Sequence, residues 1–194
     1  MGAFFAMLIY LDANIVQYIA DHEDFIFGEV VIPQTTSGSL WKELKALRAL
    51  IQFELEIEQL EVANLWEVAA SAHLMKELYV GRPTDTQRKI YSVLREAWSE
   101  SDWTAYIEWS DDNVRLADTS LGVLNLKQAA DRRHLAEAVL LKASWFLTND
   151  NDIITKTRLW NQDSMVEGVR VVRPSECFLM MCQNPTMGWV ERRC

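Results

Sequence analysis

The chain has 194 residues, 49% of them hydrophobic, and no low-complexity stretch, so it can bury a full core and reads as one globular domain. Its formal net charge of -9 excludes a protein that holds nucleic acid by general basicity, because Lys and Arg neutralising phosphates supply most non-specific affinity. Local recognition stays open, since over a Debye length of about 8 Å the charge around a site outweighs the whole-chain sum.

The first apolar run, Ala3 to Leu11, lacks a basic leader, ends at Asp12 and is about half the roughly 20 residues that cross a bilayer. It therefore reads as a buried strand, and no membrane association is expected. Within it, Met7 to Leu11 is continuously apolar and breaks at Asp12-Ala13-Asn14. That pattern suits a strand buried on both faces that delivers a polar residue at its carboxyl end. After the turn residues Gln34 to Ser39, Leu40, Leu44, Leu47, Ile51 and Leu55 recur at three- and four-residue intervals and predict an amphipathic helix.

Leu60 to Ser71 predicts a second strand, followed by the helical pattern Leu74, Glu77, Leu78. Gly81 and Pro83 punctuate the chain, and Thr84 with Gln87 matches a capping box opening a helix to about Trp98. A further helix is expected over Trp109 to Ala117, so that 84–121 forms a helical elaboration within one fold. Ala129 to Ala143 carries an apolar stripe of Leu135, Ala138, Val139 and Leu141, with Asp131 in a first turn, where the helix dipole favours an acid. Trp145 to Leu147 and Val169 to Val172 read as short buried strands, and Pro174-Ser175-Glu176 opens a last helix. The alternation of strand and helix predicts an α/β protein with a parallel sheet.

Three cysteines, Cys177, Cys182 and Cys194, lack the paired spacing of a zinc site, and an odd number cannot close a disulfide framework. A reduced, cytoplasmic protein is expected.

In an open parallel sheet, functional groups collect beyond the carboxyl ends of the strands. Asp12 follows the first strand and Asp150 follows Trp145-Phe146-Leu147-Thr148-Asn149, so neighbouring strands would bring both carboxylates to one edge. Each acid also has a plain structural reading: turn residues at Asp12 and Asp150, a first-turn acid at Asp131, and a solvated helix residue at Glu77, with Glu67 a nearby competitor. Periodicity does not place Asp131 at the active edge. His73 and His134 have no partner at metal-ligand spacing and read as surface or boundary residues without a catalytic role. Arg132, Arg133, Lys127 and Lys142 suit either phosphate contacts or a mixed-charge helix face. Most of the eight tryptophans are expected in the core, though an exposed one could stack a single-stranded base.

Taken together, Leu11-Asp12-Ala13-Asn14, Ser71 with Glu77 six residues on, Asp131-Arg132-Arg133-His134-Leu135-Ala136, and Phe146-Leu147-Thr148-Asn149-Asp150 resemble the PIN-domain family in order and spacing. Val171-Val172-Arg173-Pro174-Ser175-Glu176 looks like its last strand and helix start, so the resemblance spans most of the chain. It implies a three-layer α/β/α fold with a mostly parallel central sheet and an inserted helical segment longer than in compact members. It also implies that Asp12, Glu77, Asp131 and Asp150 converge on Mg²⁺ or Mn²⁺ to hydrolyse phosphodiester bonds, most often in RNA. In that reading Asp12, Asp131 and Asp150 bind the metal, Glu77 positions it or the attacking water, and Asn14 and Thr148 support them. Arg132 and Arg133 are candidate substrate contacts.

Hard divalent cations prefer carboxylate oxygens and water. Two carboxylates about 4 Å apart repel by roughly 4 kcal/mol at an effective dielectric of 20, so clustering would itself point to a cation or to protonation. Ribonuclease toxins of this family imply an antitoxin-like inhibitory partner and a homodimer. Two rivals remain: a non-catalytic scaffold on the same fold, and a haloacid dehalogenase-type phosphatase, which needs a second Asp where this chain has Asn14.

Overall fold

The computed structural model describes residues 7–28, 37–59, 66–69, 71–100 and 121–183. Strand β1 (Met7–Leu11) lies between β2 (Trp66–Ala69) and β3 (Trp145–Leu147), both parallel to it. Beyond β3 come β5 (Val169–Val172), also parallel, and β4 (Met165–Val166), antiparallel on the edge, giving the order β2-β1-β3-β5-β4. The central place of β1 explains its unbroken apolar run. Leu8, Ile9, Tyr10 and Leu11 are all buried, and burying a side chain such as Ile9 stabilises by about 1.5–3 kcal/mol relative to exposure.

Helices α1 (Ala13–Asp21), α2 (Glu23–Ile26) and α3 (Gly38–Gln59) connect β1 to β2. Helices α4 (Ala72–Val80), α5 (Asp85–Glu100) and α6 (Ala129–Leu140) lie between β2 and β3, with a 3-10 turn at Gly122–Leu124 before α6. Helix α7 (Asn151–Trp160) follows β3 and α8 (Pro174–Gln183) follows β5. Helix α3 packs against α8, and α1 against α4 and α5, so helices flank the sheet in a three-layer α/β/α arrangement. Glu43 of α3, buried, accepts from the Ser175 backbone N–H at 2.9 Å and its hydroxyl at 2.8 Å, so a carboxylate from one helix caps the N-terminus of another.

Local signals account for most boundaries. The Thr84 N–H donates to Gln87 Oε1 at 2.8 Å and the Gln87 N–H to Thr84 Oγ1 at 3.2 Å, the reciprocal capping box. The second strand is shorter than expected. Pairing covers Trp66–Ala69, and Ser71 instead caps α4 by accepting from the Leu74 N–H at 3.0 Å. The remainder of the expected strand at 60–65 and 70, and the helix expected at Trp109 to Ala117, lie outside the described residues.

Strand β4 was not anticipated. It has two residues, too few to show a period, and is made by a turn in which Glu167 and Gly168 both have positive φ, 48° and 87°. That is the backbone twist a two-residue hairpin needs.

No helix among the described residues is long and apolar enough to cross a membrane. Cys177 is buried and free, whereas Cys182 is disulfide-bonded, a departure from the fully reduced chain expected.

Candidate active site

The connection leaving β1 runs to β2 on one side, while β3 pairs on the other, so the chain reverses direction across the sheet at β1 and β3. Such a switch point opens a crevice at the carboxyl ends of the strands. Asp12 stands immediately beyond β1, and its N–H donates to the Leu147 carbonyl at the end of β3 at 3.0 Å. Asp150 lies three residues beyond the same strand.

Thr148 Oγ1 joins the two acids. It donates to Asp12 Oδ2 at 2.6 Å and accepts from the Asp150 N–H at 3.0 Å and from Asn14 Nδ2 at 3.2 Å. Asn14 Nδ2 also donates to Asp12 Oδ2 at 2.5 Å, and its Oδ1 accepts from the Asn149 N–H at 3.1 Å. Asp12 Oδ1 accepts from the Ala13 N–H at 2.8 Å, which makes Asp12 the cap of α1. Asp12 and Thr148 are buried. A Thr148→Val chain keeps the shape but leaves a buried carboxylate short of a donor, and it is expected to lose about 2 kcal/mol in urea denaturation. An unchanged midpoint would show that the hydroxyl holds nothing.

Burial raises the Asp12 carboxyl above its ordinary value, opposed by the His134 charge and the Thr148 hydrogen bond, and Asp150 raises it further. Asp150 caps α7, with Oδ1 accepting from the Asp152 and Ile153 N–H groups at 2.6 and 3.3 Å, so the cap uses one carboxylate oxygen. Asp131 comes to the same edge for a topological reason. A helix feeding a parallel strand runs antiparallel to it, so α6 begins where β3 ends. Burial and the charges of Asp12 and Asp150 push its carboxyl up to about 6, partly opposed by His134.

Glu77, the fourth acid, projects from α4 and meets His134 Nε2 of α6 at 2.7 Å, a hydrogen bond that lowers its carboxyl below the usual range. His134 differs from the surface or boundary residue expected: it is 1% exposed. Its Nδ1 lies 3.8 Å from Glu137 Oε2, an ion-pair separation too long for a hydrogen bond. Burial opposes charge on the imidazole, but Glu137, Glu77 and Asp12 outweigh it and raise its pKa to about 9. Glu137, likewise buried, accepts from the Tyr10 hydroxyl of β1 at 2.9 Å, and that hydroxyl lies 3.0 Å from Ser71 Oγ. Although burial opposes it, the Glu137 carboxyl is held low by His134, Ser71 and Tyr10.

The fold thus brings Asp12, Asp131, Asp150 and Glu77 within electrostatic reach of one another, with Asn14 and Thr148 between the first and third. His134 and Glu137 were missed as members of the site. The available signal was the three-residue steps from Asp131 to His134 and from His134 to Glu137, which make each a neighbour of the next on α6. His73, half-buried, stacks obliquely on His134 with ring centroids 5.7 Å apart, and burial and Arg133 lower its pKa. Arg133 Nε donates to Glu137 Oε1 at 3.3 Å, and Arg132 donates to the Leu126 carbonyl at 3.1 Å, so both candidate substrate contacts also serve the fold. Lys127 and Lys142 are exposed.

Among the described residues no group of three or more His, Cys, Asp or Glu is already drawn together as a ready-made metal centre. The donor type nevertheless suits a hard cation: Asp131 and Asp150 are carboxylates at this edge, and burial together with the charges of Asp12 and Asp150 raises the Asp131 carboxyl. Family models, curated proteins and solved structures yield no match to this chain.

Proposed function

We propose that the chain is a PIN-type, metal-dependent nuclease that hydrolyses phosphodiester bonds of single-stranded RNA with Mg²⁺ or Mn²⁺. The observation that supports this reading is the pair Asp12 and Asp150, joined through the Thr148 hydroxyl beyond the carboxyl ends of β1 and β3, with Asp131 at the start of α6 near enough to feel both charges. An uncompensated acidic cluster is costly, and a divalent cation is the simplest counter-charge.

Asp12, Asp131 and Asp150 would hold the cation. When bound, it supplies Lewis-acid stabilisation of phosphoryl oxygens and activates water for attack. Thr148 and Asn14 fix the Asp12 carboxylate from its inner side. Glu77 stays ionised beside His134 and orients the attacking water as a hydrogen-bond acceptor. The reading carries with it a cytoplasmic location, an antitoxin-like protein partner and a homodimer.

The rival is a non-catalytic scaffold, favoured by the lack of a ready-made metal group among the described residues. Labelled single-stranded RNA with Mn²⁺, with and without EDTA, separates the two. Metal-dependent cleavage is expected; a well-folded chain inert across varied RNA sequences sinks the nuclease reading.

A further inference from the structure

One depression takes in Glu77 and another the residues on either side of Asp150. One, of about 170 Å³, has Ala13 and Glu77 in its wall. The other, of about 660 Å³, is lined by residues including Tyr18, Lys42, Asn149, Asn151 and Arg173. Asn149 and Asn151 bracket Asp150 in the chain, so the larger cavity starts one residue from the acidic cluster. Its size falls in the roughly 300–1,000 Å³ range of small-molecule sites, enough for one nucleotide.

Most polar groups in its wall are engaged. Glu43 is satisfied by Ser175, and Glu176 accepts from the Arg173 N–H and pairs with Arg158. The Arg173 guanidinium donates to Asn151 Oδ1 at 2.5 Å, and Lys42 in the same wall is exposed.

Asn149 is the exception. Its backbone N–H is bonded to Asn14, but its side-chain Nδ2 and Oδ1 are both closed off from solvent and neither has a hydrogen-bond partner. Buried polar groups are rarely left so. No hydrogen bond holds this carboxamide in its interior position, so turning it into the cavity breaks none. A carboxamide offers donor and acceptor side by side, the pattern that pairs with a nucleobase edge.

We propose that this cavity holds one nucleotide of the RNA strand next to the cleaved bond, its base against Tyr18 and paired to the Asn149 carboxamide, its phosphate facing Lys42 and Arg173. The proposal rests on the nuclease reading and names the subsite that gives it base preference.

The test uses the full chain without metal. The Asn149 side-chain amide, assigned by comparison with Asn149→Ser, is followed by ¹⁵N NMR during titration with AMP, CMP, GMP and UMP, and with inorganic phosphate as a control. At least one nucleotide should shift that amide saturably while phosphate does not, and Lys42→Ala combined with Arg173→Ala should weaken that binding about tenfold, as expected for lost phosphate contacts. Indifference to all four nucleotides, or an equal shift with phosphate, overturns the proposal. RNA cleavage by a chain whose Asn149 amide ignores nucleotides removes the subsite and leaves the nuclease; nucleotide binding at Asn149 without cleavage keeps the subsite and removes the nuclease.

Discussion

Asp150→Asn is expected to lower kcat for Mn²⁺-dependent RNA cleavage by about 10³-fold while shifting Tm by no more than about 2 °C, because one substitution separates charge from capping. Asn caps a helix about as well as Asp, so the bonds from the Asp152 and Ile153 N–H groups to Oδ1 survive. The negative charge that would hold the cation is lost, and a factor of 10³ corresponds to about 4 kcal/mol of transition-state stabilisation. Asp12→Asn should abolish activity equally but also destabilise, since the carboxylate accepts from Ala13, Asn14 and Thr148 and a carboxamide must turn an N–H toward one of those donors. Asp131→Asn should abolish activity while raising stability, because like charges and burial already disfavour its ionised form. That gain is of order 0.5 kcal/mol, a surface-like figure, because the group is partly solvent-screened. Full cleavage by Asp150→Asn would remove Asp150 from the chemistry.

His134→Ala should destabilise by about 2–3 kcal/mol, below the usual effect of stranding a buried charge, because Arg133 still pairs with Glu137 when the imidazole is gone. What is lost is the 2.7 Å bond to Glu77 and the positive charge beside Glu137, which is 1% exposed and keeps the Tyr10 hydroxyl and Arg133. The same group sets a pH dependence. The His134 pKa is about 9 in the folded chain against the ordinary 6.5. Its stabilisation is therefore complete below pH 6.5, where both states are protonated, and is lost as pH rises through about 9, because the unfolded chain gives up its proton first. Glu77 and Glu137, held low, act in the opposite window: their contribution is present above their ordinary 4.5 and disappears as the solution is acidified below it. Urea midpoints of the wild type should fall between pH 6.5 and 9 and stay level in His134→Gln. A level wild-type profile would mean that the imidazole is neutral in the fold.

The same pairing bears on the proposed nuclease. Glu77 is held to α6 by a proton on His134 Nε2, so its position depends on a side chain that carries none of the proposed chemistry.

The apolar run of β1, the Thr84 and Gln87 capping box, and Pro174 at the start of α8 were legible because each depends on residues within a few positions of one another. The fold class was legible for the same reason, since the alternation of short apolar runs with helical stripes already implies a parallel sheet. Asp12 and Asp150 could be placed as well, because the end of a buried strand announces itself in sequence and its side chains go to one edge.

What tertiary structure alone decided are pairings between distant segments. These are the closure of Tyr10 and Ser71 on Glu137, the meeting of Glu77 with His134 across 57 positions, and the capping of α8 by Glu43 across 132. Local periodicity specifies which face of a helix is polar but not which side chain will stand opposite, and the charge state of His134 is set by what stands opposite.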